Sequence, residues 1–177
     1  AAVPGLLEDY AFLGEGLVAL YDVTGEAGWL ARARELADAL WERFADPGGG
    51  GLFMAEPATE TPQMARPRDL ADGPMASGTA AALGLLAALV QRADAPTDQE
   101  RAQALLAAVS GLVARTPEAF PTVLVAATRL RPGVLDDLGL IDALEWYIAD
   151  FGKRTGIACT FKHRQVPDID GIGATAA

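Results

Sequence analysis

Between two long Ala/Leu-rich stretches, Arg66-Pro67-Arg68-Asp69-Leu70-Ala71-Asp72-Gly73-Pro74-Met75-Ala76-Ser77-Gly78 sets two arginines and two aspartates among two prolines and two glycines. Guanidinium and carboxylate groups this close together can hold a polar small molecule or pair with one another. The segment is too charged for a core and too constrained by proline for a flexible linker. It predicts an ordered loop in which Arg66, Arg68, Asp69 and Asp72 meet at one end of a helical body, where small-molecule sites are commonly built. The competing expectation is a loop tied by its own salt bridges that only shapes the start of the next helix, because structural ion pairs outnumber functional ones.

Helical patterns flank this loop. Leu6, Tyr10, Leu13, Leu17, Leu20 and Tyr21 recur at helical spacing and predict a helix over 7–22, broken at Thr24-Gly25. A second runs over 27–45, with Trp29, Ala33, Leu36, Leu40, Trp41 and Phe44 on one side. Arg32, Arg34, Glu35, Asp38, Glu42 and Arg43 form its solvated face. Pro47 and Gly48–Gly51 stop it. These glycines do not read as a phosphate cradle, because no Lys, Ser or Thr follows, and Leu52-Phe53-Met54 looks like a short strand. After the loop come helices over 77–92 and 98–115, separated by a turn at 94–98, then an apolar helix over 122–130. A shift of 69 residues lays Leu17-Val18-Ala19-Leu20 on Leu86-Ala87-Ala88-Leu89, and Arg32-Ala33-Arg34-Glu35-Leu36 on Arg101-Ala102-Gln103-Ala104-Leu105. The match predicts an αα-hairpin used more than once, whose copies need one another to close a core. A further helix is expected over 134–151, and Ile157-Ala158-Cys159-Thr160-Phe161 alternates like a strand. Trp29, Trp41 and Trp146 read as core.

Composition removes several functions. The 177-residue chain can bury a core without a disulfide or metal, and its net charge of -10 and pI near 4.5 argue against nucleic-acid and anionic-membrane surfaces. One cysteine, Cys159, and one histidine, His163, exclude an intramolecular disulfide and any Cys-pair or His-rich metal site. No cofactor is called for, and the cysteine usage fits a reducing, cytoplasmic compartment. Residues 73–91 carry no charge, yet Gly73, Pro74, Gly78 and Gly84 and the excess of Ala favour a buried inner helix over a membrane span. The first residues have neither a basic n-region nor an apolar h-region, and the chain, which does not open with methionine, reads as a fragment.

Leu7-Glu8-Asp9-Tyr10-Ala11-Phe12-Leu13, Leu20-Tyr21-Asp22-Val23-Thr24-Gly25-Glu26, Trp29-Leu30, the Gly-rich turn before Leu52-Phe53-Met54, and above all Arg66-Pro67-Arg68-Asp69 with Asp72-Gly73-Pro74-Met75-Ala76-Ser77-Gly78 carry a resemblance. With Ala119-Phe120-Pro121, they make residues 5–128 similar to the C-terminal region of the spermatogenesis-associated, thioredoxin-domain family. That resemblance implies a six-hairpin α/α toroid of the glycosidase and sugar-epimerase type. Thr79 departs from the family's usual asparagine, and the thioredoxin-like domain and part of the hairpin ring are not present. The expected architecture is therefore mainly α, an incomplete α/α toroid of αα-hairpins with a short β-prone tail. Toroids of this type act on sugars through carboxylates at inner helix ends. Glu8, Asp9, Asp69 and Asp72 are then the catalytic candidates, with Arg66 and Arg68 as charge partners and Tyr10 and Phe53 as stacking surfaces. Glu8 and Asp9 are better explained as acids favoured by the helix dipole.

Leu130-Arg131-Pro132-Gly133-Val134-Leu135-Asp136-Asp137-Leu138-Gly139-Leu140, with Ala143-Leu144-Glu145-Trp146 and Arg154-Thr155-Gly156-Ile157, instead resembles bacterial sensor histidine kinases between the phosphoacceptor helices and the ATP-binding domain. The phosphoacceptor box and the ATP-binding boxes are lacking, and His163 does not match the phosphoacceptor. The expected division is a partial toroid over 1–128 and a kinase-like helix with a lead-in strand over 129–177, joined near 126–131. A natural fusion, an assembly error and an engineered chimera all fit such a junction. The expected function is a toroidal carbohydrate-related fragment with incomplete catalytic machinery; the alternative is a signalling fragment acting through helix–helix association. A small carbohydrate and self-association through exposed apolar helix faces are the expected partners.

Overall fold

The computed structural model describes residues 5–57, 66–93 and 95–130, together with Glu145, Ile148, Ala149, Gly152, Lys153, Gly156 and 158–160. Among the described residues up to Leu130, five α-helices and one 3-10 turn follow in order: α1 (Leu7–Thr24), α2 (Ala27–Phe44), α3 (Gly78–Arg92), α4 (Pro96–Val113), the turn Pro117–Ala119 and α5 (Pro121–Arg129). Each boundary has a local cause. Asp9 accepts the Leu6 N–H at 2.8 Å at the start of α1, and Gly25, at φ +70°, donates to the Tyr21 carbonyl at its end. Ser77 caps α3 by accepting the Ala80 N–H at 3.1 Å. Pro96 and Pro121 open α4 and α5, where a missing N–H costs nothing. The expected helix over 98–115 thus starts two residues early, at a proline that the sequence reading placed in a turn.

The hairpins α1/α2 and α3/α4 lie side by side. α1 packs on α2 and α3, and α3 packs in turn on α4 and α5, so α3 is enclosed and Gly78–Leu89 are all buried. This enclosure explains the charge-free run of sequence. No described helix is long and apolar enough to cross a membrane. Shifting the limits of α2 by 69 residues gives the limits of α4, so the weak sequence repeat is a repeat of structure. The core joins Leu7, Leu40, Phe44, Leu83, Leu86 and Leu105 across these helices.

Small residues permit the close approach. A Cβ on Gly14 of α1 would sit 2.5 Å from Cδ2 of the buried Leu85 on α3. Charges tie the periphery: Arg92 of α3 pairs with Asp22 of α1 at 2.5 Å, and Arg101 of α4 pairs with Asp38 of α2 at 2.6 Å. Asp98 of α4 lies buried between Arg101 and Arg34, at 3.4 and 3.7 Å. Burial pushes its carboxyl pKa above the ordinary range, against the pull of the two arginines.

Two expectations change. Leu52-Phe53-Met54 does not form a strand; Leu52 makes a single antiparallel bridge with Ala45, because the chain turns away to meet α1 at Met54. Trp29 and Trp41 are half-buried rather than core, with Trp41 packed against the edge of the core, and Trp146 lies outside the described residues. Most of the expected helix 134–151 also lies outside them, although Glu145, Ile148 and Ala149 are helical, and the β-prone tail is described only at 158–160, which are in no strand.

Gly14→Val should destabilise the chain by about 1–3 kcal/mol in urea unfolding, by overpacking against Leu85. Gly111→Ala, at a helical glycine with open space around it, should stabilise it by about 0.5–1 kcal/mol.

Candidate functional site

The N-terminal ends of α1, α3 and α5 are joined at one end of the helical body by the segment that connects α2 to α3. The Leu7 N–H donates to the Met54 carbonyl at 2.9 Å, and the Asp72 N–H donates to the Ala119 carbonyl at 2.8 Å. Gly78 lies so close to α1 that a Cβ there would sit 3.2 Å from Cδ2 of Leu7. An open cleft of about 330 Å³ lies at this end, lined by Glu8, Asp69, Ala71, Gly73, Pro74, Met75, Ala76 and Ser77.

The predicted carboxylates reach this end but stand in different states. Asp69 accepts the Gly78 N–H at 2.8 Å. Asp72 accepts the Ser77 N–H at 2.9 Å with one oxygen and the Thr122 N–H at 2.7 Å with the other, so one side chain serves the approaches to both α3 and α5. Asp9 holds the Leu6 N–H. Glu8, half-buried, forms no hydrogen bond or ion pair among the described residues and is the free carboxylate of the cleft.

Arg66 and Arg68 do not join Asp69 and Asp72, which corrects the expected convergence of four charges. Pro67 passes its carbonyl to the Met54 N–H at 2.9 Å, and the two arginines on either side of it turn to the ring of Phe53. Their guanidinium carbons lie 4.1 and 4.6 Å from the ring centroid, within cation–π range. Arg66 also donates to the Ala55 carbonyl at 2.7 and 2.9 Å and to the Arg43 carbonyl at 3.1 Å. Arg68 pairs with Asp46 at 2.5 Å. Phe53 is therefore a platform for two arginines, and Tyr10 packs edge-on against Phe44 at 5.4 Å with Arg43 5.6 Å from its ring.

The glycine turn makes the Asp46–Arg68 pair possible. A Cβ on Gly50 would lie 2.6 Å from the Asp46 carboxylate and 2.7 Å from the Arg68 guanidinium. The Gly48 N–H and Arg68 together hold the Asp46 carboxyl below its ordinary pKa.

Sequence reasoning missed Asp46, Glu15 and Asp98. Glu15 of α1 is half-buried against α3, its Oε1 2.3 Å from where a Cβ on Gly84 would be. Burial raises its pKa, opposed by the charge of Arg129. Gly84, set within an Ala/Leu helix, was the available signal for that close approach. The Thr79 hydroxyl is buried without a hydrogen-bond partner among the described residues. A second cleft of about 710 Å³ lies at the other end of α3, lined by Val90, Gln91, Ala93, Ala95, Pro96, Gln99 and Arg129, and no predicted site residue reaches it.

Comparison with known proteins supports the first resemblance. The chain is 34% identical over 117 residues to spermatogenesis-associated protein 20 of Mus musculus and 34% identical over 122 residues to that of Rattus norvegicus. It is 33% identical over 122 residues to that of Homo sapiens. These alignments cover 66% of this chain for the mouse protein and 69% for the other two, but the chain spans only 15–16% of the relatives' length. No family model matches the chain, and no solved structure matches it.

Asp72→Ala should cost about 2–3 kcal/mol, since it leaves two amide donors without their charged acceptor. Asp46 works through pH. Its folded pKa is lowered, so its contribution to stability is present above the unfolded value of about 3.9 and is lost as pH falls through the folded value. The stability gap between the native chain and Asp46→Asn, measured by denaturant titration, should close as the solution is acidified through that range.

Proposed function

We propose that this chain is a segment of a spermatogenesis-associated protein 20-like polypeptide whose hairpins belong to a carbohydrate-related α/α toroid, and that the Glu8 cleft is its ligand site. The alternation of α1, α3 and α5 with α2 and α4 behind them supports an arc of such a toroid. The observation that carries the site is the state of the carboxylates. Asp9, Asp69 and Asp72 accept backbone amides, and Glu8 alone is free to accept from sugar hydroxyls. Glycoside cleavage uses two carboxyl groups in different protonation states within one pocket. The proposed activity of this segment is accordingly the binding of a small carbohydrate, with Asp69 and Asp72 shaping the cleft and Arg66, Arg68, Tyr10 and Phe53 bracing the loop that forms its wall. A complete acid/base pair would draw on parts of a longer chain.

For residues 130–177 the resemblance to sensor kinases supports a second reading, a segment that acts by pairing the helix expected over 134–151 with another helix. The run Leu130–Leu140 and the helical state of Glu145, Ile148 and Ala149 favour it.

Titration with a panel of mono- and oligosaccharides, followed by NMR chemical shifts, tests the carbohydrate reading. Shifts should concentrate at Glu8, Ala71, Met75 and Ala76, and Glu8→Gln should weaken binding about tenfold, or about 1.4 kcal/mol, without changing thermal stability. Failure of every sugar to shift these resonances would refute it.

A further inference from the structure

An acid in the first turn of a helix ordinarily stands in water, where the free N–H groups of that turn favour its charge. Asp98 holds such a position in α4, yet it is only 3% exposed. A carboxylate taken out of water needs short bonds from its partners to offset the lost hydration. The two arginines beside it do not supply them. Arg101 Nη1 stands 3.4 Å away and Arg34 Nε 3.7 Å away, both beyond the range of about 2.7–2.9 Å for a charge-assisted bond. Arg101 gives its short contact, 2.6 Å, to Asp38 of α2. Arg34, also on α2, keeps its Nη2 buried without a hydrogen-bond partner among the described residues.

We propose that Arg34, Asp38, Asp98 and Arg101 form a proton-operated clasp between α2 and α4, in which protonation of Asp98 releases Arg34 while Arg101 keeps its hold on Asp38. The inference rests on the fold and is independent of the carbohydrate reading. Both ion pairs that join α2 to α4 among the described residues belong to this cluster, so its two ties become one. α3 packs against both helices and carries no charge before Arg92, which is paired with Asp22 of α1. Arg34, Asp38 and Arg101 are therefore the charges that face Asp98. Burial favours its neutral form, the two arginines oppose that, and the charge of Asp38 adds to it. The folded pKa is raised, so the stability this group contributes is full below the unfolded value of about 3.9 and is lost as pH rises through the folded value. The closed clasp is thus the ionised, less stable state. It lies behind the second cleft, whose wall includes Ala95, Pro96 and Gln99 from the start of α4.

NMR titration of the full chain, following the Asp98 carboxyl carbon and the arginine Nε–H signals, tests the proposal. The carboxyl should titrate with a midpoint above about 3.9. Over the same range the Arg34 Nε–H should lose its protection from exchange, that of Arg101 should be retained, and the Gln99 amide should shift with the same midpoint. In urea unfolding, Asp98→Asn, fixed in the neutral form, should have a midpoint at pH 7 no lower than that of the native chain, and the gap should close as the solution is acidified toward about pH 4. If Asp98→Asn does not fold, the titration of the native chain decides. An Asp98 carboxyl that titrates at or below its ordinary value, simultaneous release of both arginines, or a lower midpoint for Asp98→Asn at pH 7 would overturn the proposal, the last by making the cluster a plain structural ion pair.

Discussion

A helix enclosed by four others has no water at its first turn, so its free N–H groups must find acceptors within the protein. α3 is in that position, and its start sets the layout of the whole end of the molecule. Ser77, Asp69 and Asp72 supply oxygens to Ala80, Gly78 and Ser77 in turn. Asp72 then uses its remaining oxygen at Thr122, where α5 begins. The loop before α3 is consequently held by hydrogen bonds that neutral side chains would make more weakly, and its charge density follows from the burial of the helix it serves.

The same constraint decides what chemistry is left. Carboxylates whose oxygens already accept backbone amides have less hydrogen-bonding capacity left to offer a ligand. Glu8 escapes because it lies on the neighbouring helix, one residue past Leu7, whose own N–H is satisfied by the Met54 carbonyl. The arginines of the loop are likewise committed, to Phe53, to backbone carbonyls and to Asp46. The cleft is thus bounded by groups with structural duties and offers one carboxylate without such a duty.

Much of the helical body was legible in the residue pattern. Gly25, the Pro47–Gly51 turn and Ser77 marked ends that the structure uses, and the shift of 69 residues located the second hairpin on the first. Pro96 was misplaced because proline fits a turn and a helix's first position equally well. The site was less legible. Arg66, Arg68, Asp69 and Asp72 lie close in sequence, but the arginines turn to Phe53 and the aspartates to amides at the starts of α3 and α5. Asp46 and Glu15 owe their environments to residues far away in sequence, Arg68 beside the one and Gly84 against the other. Spacing along a chain does not encode contacts of that kind.

The duplicated helical frame has a consequence for how such a protein can change. The links from α1 to α2 and from α3 to α4 are only a few residues long, and the one from α4 to α5 is a short turn over 114–120. The link over 45–77 is the long exception, and it carries Asp46, Phe53, Arg66, Arg68, Asp69 and Asp72. Packing is written twice into the helices, whereas the polar groups around the cleft are written once, mostly into a single connector. Substitutions along much of that connector can reshape the wall of the cleft while the repeated frame stays intact, provided that Asp69 and Asp72 keep their amides. Novelty and architecture are thereby assigned to separate stretches of one chain.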